Sequence, residues 1–269
     1  MVTAMDLEKF LSGGVGESDL PVEELLRRSR KQFDRMLKGM RRPEVAIGVV
    51  NSPLGDLLVA LGARGIVLIH YLFGDDLEST VAKLRLTLDP VEDRRSVTAI
   101  GAEIRRYLDG DTGALRSRVD LTLATTPFQK KVLGKLQEVP RGAVVSYQAL
   151  GAAAGAPKGA RAIGNVMHNN PVPIYVPCHR VIASGGGLGG YGGGLSRKLR
   201  LLRSEGFALG NADKALPESV VWGHKDTKIY CRAGCAAVQR ADSRRIVFFA
   251  DSAQAKTAGL HPCKVCRPA

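Results

Sequence analysis

A cysteine at position 178 lies between a proline and a histidine, in the segment VPCHRV. A cysteine becomes a nucleophile when its thiol loses a proton, which requires a partner that accepts that proton. His179 is adjacent, but neighbouring residues of an extended segment point to opposite sides, so we expect a water molecule to bridge the two side chains. The imidazole in turn needs a carboxylate to orient it. Glu205, the first acidic residue after Glu138, is the candidate.

The other four cysteines form two close pairs near the C-terminal end. Cys231 and Cys235 have the spacing C-x3-C, and Cys263 and Cys266 have the spacing C-x2-C. In a reducing compartment such pairs are typical of a tetrahedral zinc site rather than of disulfides or incidental thiols. A segment this small rarely folds on its apolar core alone, and a metal supplies the missing stability. The sequence therefore predicts structural Zn²⁺ on these four thiolates, and we expect no organic cofactor.

The charge distribution favours a polyanionic partner. The chain carries a formal charge of +13, and between Val139 and Ser204 it has eight Lys or Arg residues and no Asp or Glu. A segment without acids does not repel phosphates, so nucleic acid is favoured over a merely solvated basic face. No apolar run approaches the ~20 residues that span a bilayer, and the N-terminus lacks the apolar core of a secretory signal. We expect a cytoplasmic protein without a membrane partner, whose thiols stay reduced.

Changes in hydrophobic period and composition divide the chain into five segments. They are a helical extension (1–44), an α/β scaffold (45–121), a mostly helical segment (122–206), a polar linker (207–219) and a small α+β unit with the paired cysteines (220–269). In the scaffold, three short apolar strands form a predicted meander, and helices are predicted over 76–88 and 93–109. The C-terminal unit has a strand in RRIVFFAD and a short helix capped by Ser252.

The segment before the cysteine contains a predicted helix-turn-helix. Pro127 opens one helix, and Ser146 caps a second, which a Gly/Pro turn joins to a third, ARAIGNVMHN. Three small residues leave one face of the third helix narrow: Ala160, Ala162 and Gly164. That face suits close approach to a nucleic-acid groove or close packing in a core. Arg161 is the only charged residue of this helix.

Eight glycines occur between positions 185 and 194. A flexible linker is one interpretation. Leu188 and Tyr191 are spaced within the stretch and a helix over 195–204 follows at once, which favours a tight loop that lets a ligand approach the backbone. The leucines of that helix are predicted to face inward and its basic residues mostly outward: Arg197, Lys198, Arg200 and Arg203.

These motifs together resemble the O6-alkylguanine-DNA alkyltransferases, whose core motif is Pro-Cys-His-Arg-Val. The upstream PFQKKVLGKLQEVPRGAVVSYQALGAAAGAPKGARAIGNVMHNNP and the downstream GGLGGYGGGLSRKLRLLRSEG match the family in order and spacing. The resemblance covers roughly 45–206 and is most specific over 127–206. It implies an α/β N-terminal scaffold followed by a mostly helical, winged-helix-like domain with a helix-turn-helix. The implied activity is suicidal DNA repair, in which an alkyl (methyl) group passes irreversibly from O6-alkylguanine in duplex DNA to Cys178.

The resemblance also implies residue roles. Cys178 is the alkyl acceptor, His179 the water-linked base, and Glu205 the residue that orients the histidine. Asn170 forms hydrogen bonds around the turn that carries the cysteine. Four further residues form the base pocket, with the carbonyl of Val181 accepting from the guanine amino group and the N–H of Gly192 directed at O6: Met167, Val181, Tyr191 and Gly192.

For DNA, the resemblance implies binding of double-stranded DNA in the minor groove by a monomer and rotation of the damaged guanine out of the stack. Tyr147 would promote flipping at the 3′ phosphate, and Arg161 would enter the space that the base leaves. Two alternatives for the whole chain are a non-enzymatic protein that binds alkyl lesions and a Cys–His hydrolase. The cysteine at 178 argues against the first, and the acid-free segment against the second.

The C-terminal segment has a resemblance of its own. KIYCRAGC with RRIVFFADSAQAKTAGLHPCKVCRP resembles the metal-binding domain of Ada-type adaptive-response proteins, although here it follows the alkyltransferase segment and Ala233 replaces a proline. The resemblance implies zinc on the four cysteines, with Cys231 as a second acceptor that takes methyl from methylphosphotriesters. A purely structural zinc module is the alternative. Four arginines would help to hold DNA: Arg232, Arg240, Arg244 and Arg245.

Overall fold

The computed structural model describes residues 42–74 and 76–268, together with 24, 27 and 29–31. The chain divides into two units, Met1–Pro43 and Glu44–Ala269. In the first unit the described residues 24, 27 and 29–31 are helical, and Arg27 Nη2 donates to Glu24 Oε1 at 2.9 Å. The rest of the predicted helical extension lies outside the described residues, apart from the short segment 42–44.

The described part of the second unit mixes strands and helices. Its strands are β1 (Glu44–Ser52), β2 (Gly55–Gly62), β3 (Gly65–Tyr71), β4 (Asp89–Glu92), β5 (Ala143–Ser146), β6 (Val181–Ile182), β7 (Val221–His224), β8 (Ile229–Arg232), β9 (Ile246–Phe249) and β10 (His261–Pro262). Its helices are α1 (Leu77–Leu84), α2 (Arg94–Leu108), α3 (Pro127–Gln137), α4 (Tyr147–Ala153), α5 (Ala160–His168), α6 (Leu195–Ser204), α7 (Ala236–Gln239) and α8 (Ser252–Thr257). None of the helices in the described ranges is long and apolar enough to cross a membrane.

The first sheet has the order β3-β2-β1-β4. The three predicted strands are confirmed as an antiparallel meander, and the sequence did not predict β4, which pairs with β1 in parallel. The polar sequence DPVE lacks the apolar pattern that would predict this short edge strand. Helix α2 packs on the sheet through Val97, Ile100 and Ile104, and Gly48 allows the close approach because a Cβ there would lie 2.6 Å from Val97. The helix thereby brings its C-terminal end, with Tyr107, towards the Pro-Cys-His-Arg-Val motif.

The second sheet joins the helix-turn-helix segment to the C-terminal segment. Its order is β10-β8-β7-β9-β5-β6, and β9 lies between β7 and β5, antiparallel to both. The predicted linker 207–219 contains two buried residues, Phe207 and Leu209, which pack into the core below this sheet. Strands from residues 143–182 and strands from residues 221–262 therefore belong to one hydrogen-bonded sheet.

Side-chain caps set where the helices begin. Thr126 Oγ1 accepts from the Gln129 N–H at 3.1 Å before Pro127, and Ser146 Oγ accepts from the Ala149 N–H at 3.0 Å, as predicted for Ser146. The predicted cap of the last helix was wrong by one residue. Asp251, not Ser252, caps α8, because its carboxylate accepts from the Gln254 N–H at 2.8 Å.

Candidate functional site

Cys178 begins a single 3₁₀ turn, Cys178–Arg180, directly before β6. Its side chain is buried, yet it lines a cavity of about 220 Å³ that also reaches Tyr71 of β3, Met167 of α5 and Tyr191 of the glycine-rich loop. The thiol is thus accessible from one side only. A small reacting group that enters this cavity meets the sulfur at its wall.

Burial raises the pKa of the Cys178 thiol, and the Asn170 side chain and the charge of Lys198 partly oppose that rise. Lys198 is fully buried, with Nζ donating to the Val181 carbonyl at 2.7 Å and to the Leu188 carbonyl. Burial lowers the pKa of Lys198 to about 8. The expectation that Lys198 faces outward was wrong: it lies three residues after Leu195 and four before Leu202, on the inward face. The spacing of Lys198 from these leucines indicates the inward position, but its charge led to the expectation of an exposed side chain.

The adjacent histidine is held by a buried carboxylate. His179 Nε2 lies 2.5 Å from Glu205 Oε1, and neither side chain is accessible to solvent. His179 Nδ1 is buried and has no hydrogen-bond partner among the described residues. Burial lowers the pKa of His179, and the Glu205 charge opposes this. We assign the proton to Nε2 from this hydrogen bond, which leaves the lone pair of Nδ1 free to accept a proton.

Glu205 is the centre of a buried polar network. Arg180 Nε donates to Glu205 Oε2 at 3.0 Å, Arg180 Nη2 donates to the Tyr107 hydroxyl at 3.0 Å, and that hydroxyl donates to Glu205 Oε1. Burial raises the pKa of Glu205, but His179 and Arg180 outweigh it and hold the pKa at about 2. Sequence reasoning missed Arg180, although it stands in the PCHRV motif, and Tyr107, for which a position in α2 offered no signal.

Asn170 holds the turn that precedes the cysteine. Its Nδ2 donates to the Val176 carbonyl at 2.8 Å, and its Oδ1 accepts from the Val172 N–H at 3.1 Å. Between these contacts Ile174 has a φ of 77°, a left-handed conformation that a β-branched residue adopts only when its surroundings impose it. Ile174 is also buried. Asn170 and this packing therefore fix the backbone that leads into Cys178.

The glycine-rich loop is anchored rather than free. Leu188 is buried with its N–H bonded to the Lys214 carbonyl at 2.8 Å. The Tyr191 hydroxyl lies 2.9 Å from that of Tyr71, and a Cβ at Gly193 would lie 2.6 Å from the Tyr71 ring. Gly192 is exposed, and the nearest atom to a Cβ at this position would be 4.0 Å away. The loop thus presents Tyr191 as a wall of the cavity and leaves its rim open at Gly192.

The helix-turn-helix residues lie on an open face. Arg161 and Ala162 at the start of α5 are exposed, Ala160 and Gly164 are half-buried, and a Cβ at Gly164 would contact nothing within 4 Å. The opposite face of α5 packs into the core through Ile163. Close packing of the small face is therefore not observed. Tyr147 opens α4, half-buried, with its ring near Gly189 of the glycine-rich loop.

The structure brings the four paired cysteines together. One ligand atom from each of Cys231, Cys235, Cys263 and Cys266 lies within 4.8 Å of every other. Cys235 follows a turn in which Gly234 has a φ of 81°, and Cys266 Sγ accepts from the Arg232 N–H at 3.4 Å. Hydrogen bonds from the backbone N–H groups of Cys266 and Val265 lower the pKa of the Cys263 thiol to about 7. Four soft donors converging in this way fit a structural Zn²⁺ site.

Two family models match this chain. Residues 127–207 match the family described as 6-O-methylguanine DNA methyltransferase, DNA binding domain, and residues 207–269 match the metal binding domain of Ada. A methylated-DNA–protein-cysteine methyltransferase of Methanosarcina barkeri is 32% identical over 159 residues, which cover 58% of this chain and 94% of that protein. The chain belongs to this methyltransferase family.

For two other relatives, the aligned region covers a smaller share of the relative's own length. The human methyltransferase is 55% identical over 84 residues, which cover 31% of this chain and 41% of that protein. The bifunctional transcriptional activator/DNA repair enzyme Ada of Escherichia coli is 33% identical over 188 residues, 68% of this chain and 51% of Ada. The chain thus spans about half the length of these two relatives. A crystal structure of the O6-methylguanine methyltransferase of Mycobacterium tuberculosis aligns with a TM-score of 0.50 at 33% identity and covers 60% of this chain and 92% of its own.

Proposed function

We propose that the protein repairs duplex DNA by accepting an alkyl group, methyl in the simplest case, from O6 of guanine onto Cys178. One observation carries this proposal. A cysteine at the wall of a cavity is followed by an imidazole that a buried carboxylate holds at 2.5 Å, with its other nitrogen unpartnered among the described residues. This arrangement activates a thiol, and the histidine, the carboxylate and Asn170 match the roles that the family resemblance implies.

The step transfers a carbon from oxygen to sulfur. Cys178 Sγ attacks the alkyl carbon, the S–C bond forms, and the C–O6 bond breaks with its electron pair moving into the purine. The thiol proton passes through water to His179 Nδ1, while Glu205 stabilises the charge that forms on the imidazole. The purine becomes guanine by taking a proton from a donor such as the Tyr147 hydroxyl. The thioether is a stable product, so each molecule reacts once.

The base reaches the sulfur only if it leaves the helix. Removing a damaged base from the stack costs a few kcal/mol, and a side chain that enters the vacated space offsets part of that cost. Arg161 is exposed at the start of α5, on the face that has no bulky residue, and suits this role in the minor groove. We propose that helices α3–α5 with strands β5 and β6 act as a winged-helix-like frame on DNA. We also propose a monomer that acts in the cytoplasm, where thiols stay reduced.

Intact-protein mass spectrometry followed by peptide mapping tests the proposal. Wild-type protein mixed with a duplex that contains O6-methylguanine should gain the mass of one methyl group on the Cys178 peptide, and Cys178→Ser should gain none there. The same duplex with unmodified guanine is the control. An unchanged mass of folded, reduced protein would refute the proposal. Tight lesion binding without transfer would instead indicate a lesion-binding protein, and repeated turnover of a small ester would indicate a hydrolase.

We further propose a second, separate activity for the metal-binding segment, residues 207–269. Cys231 adjoins a cavity of about 780 Å³ whose lining also includes Cys263. The four arginines that would help to hold DNA are exposed to solvent: Arg232, Arg240, Arg244 and Arg245. Zinc on the four thiolates would keep them deprotonated. Attack by Cys231 Sγ on the methyl carbon of a methylphosphotriester would release an ordinary phosphodiester. In a Cys178→Ser background, methylation at 231 by such DNA would support this activity, and its absence would leave a structural zinc module.

A further inference from the structure

We propose that helix α8 of the metal-binding segment positions Glu205, with Gln254 as the positioning residue, so that alkyl transfer at Cys178 depends on a residue outside the alkyltransferase segment. The inference rests on the proposed function of Cys178. It concerns contacts that α8 and the residue after β9 make with the backbone around Glu205, next to the β5–β9 pairing.

The first contact is direct. Gln254 Nε2 donates to the main-chain carbonyl of Glu205 at 3.2 Å. The amide lies between two glycines: a Cβ at Gly142 would be 1.5 Å from Gln254 Oε1, and one at Gly206 would be 2.7 Å from Gln254 Nε2. Both glycines have positive φ, +74° and +99°. The Gln254 side chain thus packs against the main chain of two glycines, one of which directly follows Glu205.

A second contact reaches the carboxylate itself. The Ala250 N–H donates to the Gly142 carbonyl at 3.0 Å, extending the β5–β9 pairing in which Ala143 faces Phe249. The Gly142 N–H in turn points at Glu205 Oε2, 3.4 Å away. Residue Gly142 therefore has its carbonyl held by the metal-binding segment and its N–H directed at the Glu205 carboxylate.

The position of Gln254 is itself fixed. Asp251 accepts from its N–H at 2.8 Å as the cap of α8, and the next residue, Ala255, is fully buried. A rigid backbone therefore presents the amide. Without that amide, the Glu205 main chain loses a donor and the space between Gly142 and Gly206 is empty. The Glu205 main chain can then shift, which displaces the carboxylate relative to His179 Nε2 and weakens the contact that stabilises the charged imidazole.

Single-turnover kinetics with excess O6-methylguanine duplex tests this role, because the rate constant and the amplitude report different things. The amplitude counts folded, competent molecules, whereas the rate constant at saturating DNA reports how well each of them reacts. For Gln254→Ala we expect the rate constant to fall about tenfold, the effect of losing a hydrogen bond to a group that must stay oriented, with amplitude and DNA affinity close to wild type.

Two variants separate the hydrogen bond from packing and from helix stability. Gln254→Glu keeps the shape but faces the Glu205 carbonyl with an oxygen, so at pH 8 it should be at least as slow as Gln254→Ala. Thr257→Ala, an exposed change in the same helix, should react like wild type. A Gln254→Ala rate constant within twofold of wild type, or a loss confined to the amplitude, would overturn the positioning role alone. Wild-type protein that transfers nothing would overturn both this inference and the proposed function.

Discussion

Replacing Glu205 with glutamine removes the one negative charge in a fully buried cluster. Glu205→Gln keeps the shape of the side chain but leaves the Arg180 guanidinium, only 8% exposed, facing a neutral amide. The Tyr107 hydroxyl and His179 Nε2 lose a charged acceptor at the same time. We therefore expect the substitution to lower both the stability of the fold and the rate of alkyl transfer.

The loss of stability can be estimated in two ways. The pKa of Glu205 is about 2 instead of 4.5, and this difference corresponds to about 3 kcal/mol of stabilisation of the charged form. Removing one partner of a buried ion pair typically costs about 3–5 kcal/mol, because the other charge stays buried without compensation. Both routes give a decrease of about 3–5 kcal/mol in the free energy of unfolding at pH 7.

Urea denaturation at pH 7 measures this decrease, and Glu138→Gln is the matched control. Glu138 pairs with Lys135 at 2.8 Å on an exposed surface, so its loss should change the free energy of unfolding by no more than about 0.5 kcal/mol. A decrease below about 1 kcal/mol for Glu205→Gln would refute the reasoning, because it would mean that the buried charge cluster contributes almost nothing to the fold.

The lowered pKa of Glu205 also predicts how the stability of the fold changes with pH. The folded-state pKa of Glu205 is lowered, so its contribution is complete above the unfolded value near 4.5 and is lost as the pH falls towards about 2. At pH 3 the contribution should be about 1.5 kcal/mol, less than half of its value at pH 7. The stability difference between wild type and Glu205→Gln should therefore shrink on acidification, and a difference that grows would contradict the assignment.

Two further predictions concern the cavity and the metal site. Tyr71→Ala removes the hydroxyl and ring that support Tyr191. In competition assays, transfer of a bulky aromatic alkyl group should therefore speed up relative to methyl transfer by about fivefold or more. An unchanged ratio of the two rates would exclude Tyr71 as a determinant of alkyl size. Metal analysis of the purified protein should find about one zinc per chain, and Cys235→Ser should lower both the zinc content and the melting temperature; unchanged zinc content would exclude the four-thiolate site.

Local signals predicted much of the fold from sequence alone. Alternating apolar residues identified β1–β3, and Pro127 and Ser146 marked the starts of α3 and α4, because these features act within a few residues of themselves. The sequence did not show that β9 pairs with β5, since a pairing between strands so far apart in the chain depends on which sheet edges are free. The contact between Gln254 and Glu205 follows from that pairing and was equally invisible.

The candidate site divides in the same way. Cys178, His179 and Glu205 could be proposed because their chemistry is specific and two of them are adjacent. Lys198 and Tyr107 could not, since a lysine in an amphipathic helix and a tyrosine in a distant one have common structural uses. Their involvement depends on tertiary contacts that bury a charged group and surround it with hydrogen-bond partners. Only the folded structure shows such contacts.

The charges around Cys178 determine when the thiol loses its proton. Burial raises the pKa of the thiol and lowers the pKa of His179, so it disfavours the charged form of both groups. The positive charge of Arg180 is already balanced by Glu205, which leaves Lys198 as the cation that favours a thiolate. In the proposed reaction we therefore expect proton transfer to His179 to accompany attack on the alkyl carbon. Under the proposed function, in which Cys178 reacts once, a thiol that stays protonated would react slowly with other electrophiles before DNA binds.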